Sequence, residues 1–416
     1  MNILVFNAYY TPETAASLNL EEDIAEGFAK QGNQVTMYVP TPSRGVSDDV
    51  RAAYKKRKIE FQHDKRLKIV RYGLMKEGRN PVLRAMRYVL QNIKQYRCGI
   101  RTENVDVIFS GSTPPTQGAM CALVKKKLQR KNRRYIPFVF NLQDIFPDSL
   151  VNAGMTREGS ILWKIGRKIE NFTYRNADSI IVISEGFKQN IMKKGVPEEK
   201  ITVVSNWIDV CQVHPIERCN NKLFDEFNID RNKFIVTYAG NFGGSQGAMI
   251  VLKAAELLVN EEDIKFVIFG GGSEFKEAIN YVYEKNLNNV FIHGLLPPSR
   301  ISEVYSMGDV SLITAQPGVG NAGMPSKTWS IMACNTPIIA SFDLGSDLEQ
   351  VLQKSRNGYC VPPGDANALS KAIVASKEAS LQNIGGREYV IENASKEICV
   401  KKYVKTLEQA VEALQK

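Results

Sequence analysis

A loop between a strand and a helix carries the residues best suited to chemistry. The stretch 315–341 reads AQPGVGNAGMPSKTWSIMACNTPIIAS: a strand end, a Gly/Pro/Asn loop, and a helix expected to begin at about Ser326. Backbone N–H groups at a helix start are unpaired and carry partial positive charge, so they suit a phosphate. Lys327 would add a full charge in the first turn. The pattern is equally typical of an ordinary turn with an exposed lysine.

Glycine-rich loops follow three other predicted strands in the same half of the chain. Residues 240–247 read GNFGGSQG, residues 270–273 read GGGS and residues 293–297 read HGLLP. Glycine lets a backbone approach a ligand closely, at an entropic cost that a structural loop need not accept. One such loop is weak evidence, but four on successive strands predict a nucleotide site.

Strands and helices alternate in two series along the chain. The first series has predicted strands at 2–8, 34–40, 67–72, 105–110, 138–142, 179–184 and 201–204. The second has strands at 234–239, 265–269, 290–293, 310–314, 337–340 and 358–361, and a last helix at 394–415. Right-handed crossovers make each series a doubly wound parallel sheet with helices on both faces.

The length of 416 residues also favours two domains, because single cores rarely exceed ~250–300 residues. We therefore predict an α/β fold with an N-terminal domain at 1–205, a linker at 206–233 and a C-terminal domain at 234–394. The two domains are expected to face each other across a cleft that binds the ligand. The final helix, about 395–416, is expected to pack back on the first domain.

Composition argues against several classes of protein. The seven cysteines are scattered without a CxxC pair, and none of the three histidines adjoins a recognisable Ser/Asp or Cys motif, so disulfides, a metal site and a His-based triad are not expected. No signal-peptide pattern and no window of ~18 apolar residues is present, which indicates a cytoplasmic protein.

The net charge of +10 is concentrated at 51–101 and 125–134. Such clusters fit nucleic acid, an anionic membrane surface or a phosphorylated substrate. We find no helix-turn-helix, zinc module or RNP-like motif, so nucleic acid is not an expected partner.

The segment 80–100 is predicted to be an amphipathic helix with basic residues beside its apolar stripe. Two interpretations stay open: a surface helix whose stripe faces the core, or a helix resting at a membrane interface. The two interpretations are compatible if the apolar stripe faces the core and only the arginines face lipid phosphates. The stripe consists of Val82, Leu83, Met86, Val89, Leu90, Ile93 and Tyr96, and the basic residues are Arg84, Arg87, Lys94 and Arg97.

Motifs spread over nearly the whole chain resemble glycosyltransferase family 4, which has the GT-B fold of two Rossmann-like domains. More narrowly, the chain is similar to bacterial O-antigen, capsule and colanic-acid enzymes that transfer fucosamine- or fucose-type sugars. The matching residues are Gln143-Asp144, Ser205-Asn206-Trp207, Tyr238-Ala239-Gly240-Asn241-Phe242-Gly243 with Gln246-Gly247, Pro325-Ser326-Lys327 with Met332-Ala333-Cys334, Pro337, and Gly358 with Pro362-Pro363-Gly364-Asp365.

The resemblance implies a retaining hexosyltransferase that uses no metal or other cofactor. Its donor would be a nucleotide sugar, UDP-linked rather than GDP-linked, and its acceptor a polyprenyl-diphosphate-linked glycan at the cytoplasmic face of the inner membrane. Asp144 would orient sugar or acceptor hydroxyls, although Asp at a strand end also caps helices. Lys327 would compensate the charge of the leaving diphosphate.

The remaining candidate residues fall into two groups. The donor group is Asn241, Gly243, Gly244, Gln246, Gly270, Gly271, Gly272, Gly294, Leu295, Gly323, Met324, Pro325, Ser326 and Ser330. The group for the acceptor or sugar is Thr14, Ala15, Gln143, Arg84 and Arg87.

The chain departs from the broader family at positions that matter for chemistry. The two glutamates of the family fall on Ala322 and Ser330, the diphosphate-binding Arg and Lys on Asn241 and Gln246, and the first-domain His on Gln143. We expect Ser330 to take over one ribose hydroxyl with a weaker hydrogen bond than a carboxylate would make. Two alternatives stay open: a GT-B-type sugar-nucleotide epimerase and a non-catalytic nucleotide-sugar binder.

Overall fold

The computed structural model describes residues 1–14, 18–78, 80–152, 154–320, 323–379 and 385–413. The chain folds as two compact units. The first comprises Met1–Ser205 and Cys399–Lys416, and the second comprises Asn206–Ile398.

The first unit is built on a sheet of eight strands. The order of its strands is β3-β4-β2-β1-β5-β6-β7-β8, and all neighbours are parallel except β3 and β4. Its elements are β1 (Asn2–Phe6), α1 (Leu18–Lys30), β2 (Gln34–Pro40), α2 (Asp48–Lys56), β3 (Ile59–Gln62), β4 (Leu67–Tyr72), α3 (Pro81–Gly99), β5 (Val107–Gly111), α4 (Gln117–Asn132), β6 (Phe138–Leu142), α5 (Asp148–Asn152), α6 (Ile161–Asn176), β7 (Ser179–Val182), α7 (Glu185–Lys193) and β8 (Ile201–Val203).

The second unit is built on a parallel sheet of six strands. Their order is β11-β10-β9-β12-β13-β14. Its elements are α8 (Leu223–Glu226), β9 (Phe234–Asn241), α9 (Met249–Leu257), β10 (Ile264–Gly271), α10 (Phe275–Glu284), β11 (Val290–Gly294), α11 (Ile301–Ser306), β12 (Val310–Thr314), α12 (Lys327–Ala333), β13 (Ile338–Ser341), α13 (Asp347–Ser355), β14 (Gly358–Val361), α14 (Ala366–Glu378) and α15 (Gly386–Asn393).

The segment 206–233, which we expected to be a linker, is a packed part of the second unit. Leu223 and Phe224 are buried in its core. The Arg387 guanidinium donates to the carbonyl oxygens of Val210 and Val213 and to that of Ala333. The lack of clear periodicity in 206–233 therefore reflects short turns packed on the second unit, and the segment is not a flexible linker.

The final helix, α16 (Lys396–Glu412), packs on the first unit. A Cβ added at Gly27 of α1 would overlap the Val400 side chain, so the two helices are in close contact. Tyr403 is fully buried and its hydroxyl donates to Asn141 Oδ1 at 2.9 Å. Helix α16 therefore completes the packing of the first unit.

Side-chain caps set where two helices of the first unit, α3 and α6, begin. Asn80 Oδ1 accepts from the N–H groups of Val82 and Leu83, which starts α3. Ser160 Oγ accepts from Trp163 N and starts α6. These are the polar residues that satisfy unpaired N–H groups in a first helical turn.

Candidate active site

Three glycine-rich loops of the second unit begin side by side. Gly240 pairs with Gly270 across β9 and β10, and Gly270 pairs with Gly294 across β10 and β11. These are the carboxyl ends of parallel strands, the position at which open α/β sheets bind ligands. The strand register alone therefore brings the three loops to one edge.

Hydrogen bonds join the loops into one surface. Phe242 N donates to Gly271 O at 2.6 Å, which ties the loop after β9 to the end of β10. Gln316 N donates to Ser245 O at 3.0 Å, which adds the loop after β12. The four loops proposed from sequence thus form a contiguous rim.

Lys327, the first residue of α12, lies beneath this rim. Its Nζ is buried, 4.3 Å from the centroid of the Tyr238 ring, and within the described residues it has no hydrogen-bond partner. A Cβ added at Gly240 would lie 2.7 Å from this Nζ, so the ammonium sits against the end of β9. The interpretation as an exposed lysine is wrong.

Burial lowers the pKa of Lys327 to about 8. A buried cation without an anion is costly, and proteins keep one where a partner arrives from outside. Thr328 Oγ1 is also buried without a partner in the described chain, and Ser330 is buried in the same first turns of α12. The rim therefore holds unused positive charge and unused hydrogen-bonding capacity.

The other donor candidates lie around this rim with different exposures. Asn241 is exposed at the end of β9, and its side chain fills the space beside Gly243 and Gly272. Leu295 is exposed and would touch a Cβ at Gly271. Four of the remaining candidates of this unit are partly buried, namely Gln246, Gly323, Met324 and Pro325, whereas Ser326 is exposed.

Ala322, the position of one missing glutamate, lies outside the described residues.

In the first unit, Gln143 and Asp144 follow β6 at the carboxyl edge of that sheet. Gln143 Nε2 donates to Asn141 Oδ1 at 3.1 Å and to Tyr403 Oη at 3.4 Å, and its backbone N–H donates to Ser112 Oγ. Gln143 is thereby held by residues from β6 and α16. Its side chain has fixed hydrogen bonds and a defined orientation.

Asp144 lines a small pocket with Ser112, Pro115 and Tyr174. Ser149 Oγ donates to Asp144 Oδ2 at 3.1 Å, which ties Asp144 to α5. Asp144 lies four residues before α5 begins, so it is not the N-cap residue of that helix. Although Asp144 is exposed at the protein surface, desolvation of its carboxyl group by the surrounding loop raises its pKa, as does the nearby Asp148 carboxylate. A carboxylate in this setting can orient hydroxyl groups.

The structure separates the remaining acceptor candidates. Thr14 is exposed and its N–H donates to Arg44 O, Ala15 lies outside the described residues, and Arg84 is exposed on α3. Arg87 is only 1% exposed, bonded to Ser43 Oγ and Met75 O and paired with Glu77. The expectation that Arg87 contacts acceptor or lipid phosphates is therefore wrong, because its guanidinium binds within the domain.

Helix α3 presents its apolar stripe to the outside. Its inward face is polar: Arg87, Gln91 and Gln95 are buried, and Gln95 Nε2 donates to Asn7 O. The core-facing interpretation of the stripe is thus wrong. Six apolar side chains of α3 are exposed, namely Val82, Leu83, Met86, Val89, Leu90 and Ile93.

Comparison with known families assigns both halves of the chain. Residues 22–212 match the family model described as Glycosyltransferase Family 4, and residues 220–397 match that of Glycosyl transferases group 1. The chain is a glycosyltransferase with a family 4 domain followed by a group 1 domain.

Two curated relatives of this glycosyltransferase come from bacteria, Pseudomonas aeruginosa and Escherichia coli. A probable glycosyltransferase, WbjE of Pseudomonas aeruginosa, is 27% identical over 73% of this chain and 74% of its own length. A putative colanic acid biosynthesis glycosyl transferase, WcaI of Escherichia coli, is 24% identical over 64% of this chain and 66% of its own.

Solved structures confirm the GT-B fold. Sucrose-phosphate synthase from Thermosynechococcus elongatus has a TM-score of 0.71 at 17% identity, with 99% of each chain covered. Anabaena HepE in complex with UDP has a TM-score of 0.70 at 15% identity, covering 98% of this chain and 100% of that one.

Three residues of this glycosyltransferase that the sequence did not single out for a role shape the two edges. Tyr238 packs under the Lys327 ammonium, and Tyr403 holds Gln143. Buried Glu13 accepts from the N–H groups of Ser43 and Arg44 and so orders the turn after β1. Only Glu13 had a local signal, because it is the one charged residue in the turn after β1.

Within the described ranges, the glycosyltransferase has no group of three His, Cys, Asp or Glu side chains that could hold a metal ion. Metal independence stays a prediction. No helix in the same ranges is both long and apolar enough to cross a bilayer.

Proposed function

We propose that this glycosyltransferase transfers a hexosyl group from a UDP-sugar to a polyprenyl-diphosphate-linked glycan during synthesis of a bacterial surface polysaccharide, with retention at the anomeric carbon. The sugar is of the N-acetyl-fucosamine type or a related deoxy- or N-acetyl-hexose. The name of WcaI supports the polysaccharide, and the UDP and UDP-glucose complexes of HepE support the nucleotide.

The buried ammonium of Lys327 is the observation that carries this proposal. As the bond between sugar and diphosphate breaks, negative charge develops on the departing diphosphate, and positive groups already in place stabilise it. Lys327 Nζ lies at the end of β9, beside the loop whose backbone amides at Gly243 and Gly244 can approach a phosphate. The diphosphate would supply the anion that Lys327 lacks.

Asp144 belongs to the acceptor side of the proposed reaction. The positive charge that builds on the sugar ring in the transition state is stabilised by a nearby carboxylate, and hydrogen bonds from hydroxyls to that carboxylate fix the reacting groups. A front-face route with retention requires no side-chain nucleophile. Gln143, held by Asn141 and Tyr403, would contribute a fixed amide beside Asp144.

The exposed stripe of α3 supports a lipid-linked acceptor. An amphipathic helix with apolar side chains outward and basic side chains nearby is typical of segments that lie at a membrane interface. Arg84, Lys94 and Arg97 are exposed on the same helix. We therefore propose peripheral binding to the anionic cytoplasmic face of the inner membrane.

Binding and transfer assays test the proposed function. Calorimetry should show binding of UDP and weaker binding of GDP. Incubation of a panel of UDP-sugars with a polyprenyl-diphosphate-linked monosaccharide should give an extended glycolipid. NMR of this product should show that the new glycosidic bond has the same anomeric configuration as the donor. Conversion of a donor sugar without acceptor would instead identify an epimerase, and binding without any turnover would identify a non-catalytic binder.

Two glycines of the rim should respond differently to substitution by alanine. A Cβ at Gly244 would meet only Glu274 Oε1 at 3.7 Å, so Gly244→Ala should leave the free energy of unfolding within about 0.5 kcal/mol of wild type and weaken UDP binding about tenfold. Gly272 has φ +114° and its Cβ would lie 2.6 Å from Phe242 O. Gly272→Ala should therefore cost about 2 kcal/mol of stability.

Urea unfolding and UDP calorimetry on both variants measure these effects. Unchanged UDP affinity in Gly244→Ala would show that the backbone at Gly244 does not approach the diphosphate.

A further inference from the structure

The outer surface of the first unit has a second exposed apolar patch besides that of α3. It lies at the start of α6, where Ile161 is 80% exposed and Leu162 and Ile165 are about half exposed, and Met155 just before the helix is exposed as well. Helix α4 contacts both α3 and α6. The three helices therefore form one layer, with an apolar patch on each side of α4.

The charge of this layer is of one sign. Helices α3 and α4 contain no Asp or Glu, and the one acidic residue of α6, Glu170, is buried and paired with Arg167 and Lys194. No carboxylate is therefore exposed on these three helices, all of which lie in the described part of the chain. Their exposed basic residues are Arg84, Lys94, Arg97, Lys126, Lys127, Arg130, Lys131, Lys164, Lys168 and Arg175.

The inner side of the same turn of α6 supports the candidate catalytic loop. A Cβ added at Gly166 would lie 2.8 Å from Pro147 Cβ and 2.9 Å from Phe146 Cε1. Phe146 and Pro147 lie two and three residues after Asp144 in the sequence. One helical turn thus carries Leu162 and Ile165 outward and holds the Asp144 loop inward.

We propose that residues 155–165 are a second contact with an anionic lipid bilayer, which together with α3 places the Asp144 loop at the membrane interface. This inference rests on the proposed lipid-linked acceptor. Within 155–165 the exposed charges are Arg157, Glu158 and Lys164, and the helices around the patch add only basic residues. Exposed apolar side chains with such an excess of positive charge match acyl chains and anionic headgroups together. A second copy of this chain would bring the same positive charges against each other, which disfavours self-association.

Vesicle binding by three variants tests this contact. The variant Ile161→Ser/Leu162→Ser/Ile165→Ser removes the α6 patch, and Met86→Ser/Val89→Ser/Ile93→Ser removes the α3 patch. The matched control is Leu257→Ser/Ile279→Ser/Tyr283→Ser, which changes exposed apolar residues of the second unit. Binding is measured by co-sedimentation with vesicles of phosphatidylglycerol and phosphatidylcholine, and with phosphatidylcholine alone.

We expect the α6 variant to bind the anionic vesicles at least about tenfold more weakly than wild type, because three apolar side chains no longer leave water. The control should bind like wild type, neutral vesicles should bind weakly, and UDP affinity should be unchanged in the α6 variant. Substitutions at these exposed positions are not expected to affect folding, and retained UDP binding would verify that the variant is folded.

Wild-type vesicle binding by the α6 variant would overturn the inference. If the α3 variant alone lost binding, the proposed peripheral association would stand without the α6 contact. If both variants bound like wild type, the membrane part of the proposed function would fail as well. A wild-type dimer in light scattering that becomes monomeric in the α6 variant would assign this patch to self-association and would also overturn the inference.

Discussion

Replacing Lys327 by methionine is expected to raise the stability of the ligand-free enzyme and to abolish tight UDP binding. Burial lowers the pKa of Lys327 from its ordinary value of 10.5 to about 8, so holding the proton at neutral pH costs roughly 3 kcal/mol of folding free energy. The Tyr238 ring offsets part of that cost through a cation–π contact. Methionine fills similar space without the charge, and unfolding should become about 1–3 kcal/mol less favourable.

The same substitution removes the cation that we assign to the diphosphate. Loss of a buried charge pair should raise the Kd for UDP at least about a hundredfold. Calorimetric unfolding and UDP titration measure the two effects, with Lys253→Met, an exposed lysine of the same unit, as the control. A lower Tm would show that the ammonium already has a stabilising partner, and unchanged UDP affinity would refute its proposed role.

The pH dependence of the two properties should have opposite signs. Between about pH 8 and 10.5 the unfolded chain holds a proton on Lys327 that the folded chain has lost, so this group makes the folded state more stable as pH rises through that window. UDP needs the protonated amine, so UDP affinity should fall as pH rises through about 8. Neither trend from this group should remain in Lys327→Met.

Replacing Asp144 by asparagine is expected to lower kcat about a hundredfold without changing the Kd for UDP. Asparagine keeps the shape and can still accept the hydrogen bond from Ser149, but it lacks the charge that stabilises the sugar cation. Because the pKa of Asp144 is raised, kcat of the wild type should fall as pH drops through a value above the ordinary pKa of an aspartate. This fall in kcat at low pH should be absent in Asp144→Asn.

Asp148 provides the matched control for Asp144. It lies four residues later and its carboxylate pairs with Lys194 at 2.7 Å, so Asp148→Asn should lower stability and leave kcat close to wild type. Steady-state kinetics and thermal unfolding of both variants separate a role in transfer from one in folding. Equal kcat values for Asp144→Asn and wild type would remove Asp144 from the mechanism.

The buried strands were the most predictable part of the fold. Strands β2, β6 and β12 have the bounds read from the sequence. Strands β6 and β12 are buried at every position, as expected for largely apolar parallel strands, whereas most of β2 alternates between buried and partly buried residues. The short elements α2 and β3 were missed. They lie in the charged segment 48–62, where few apolar residues mark a period, and β3 is an antiparallel edge strand.

Orientation and long-range partners were less predictable than element type. The spacing in α3 defined two faces, but which face turns inward depends on Ser43 and Asn7, distant residues that bond to Arg87 and Gln95. The rim of the donor site followed from strand order, because four loops after successive strands share an edge. The burial of Lys327 did not follow, since it depends on packing against Tyr238.

The return of α16 to the first unit affects how the enzyme is made in the cell. Residues 1–205 emerge from the ribosome first, yet Val400 and Tyr403, which complete their packing, are synthesised last. At about 5–20 residues per second, the nascent first unit waits on the order of 10–40 s with the α1 surface uncovered. Co-translational folding of this half should therefore depend on chaperones more than that of the continuous second half.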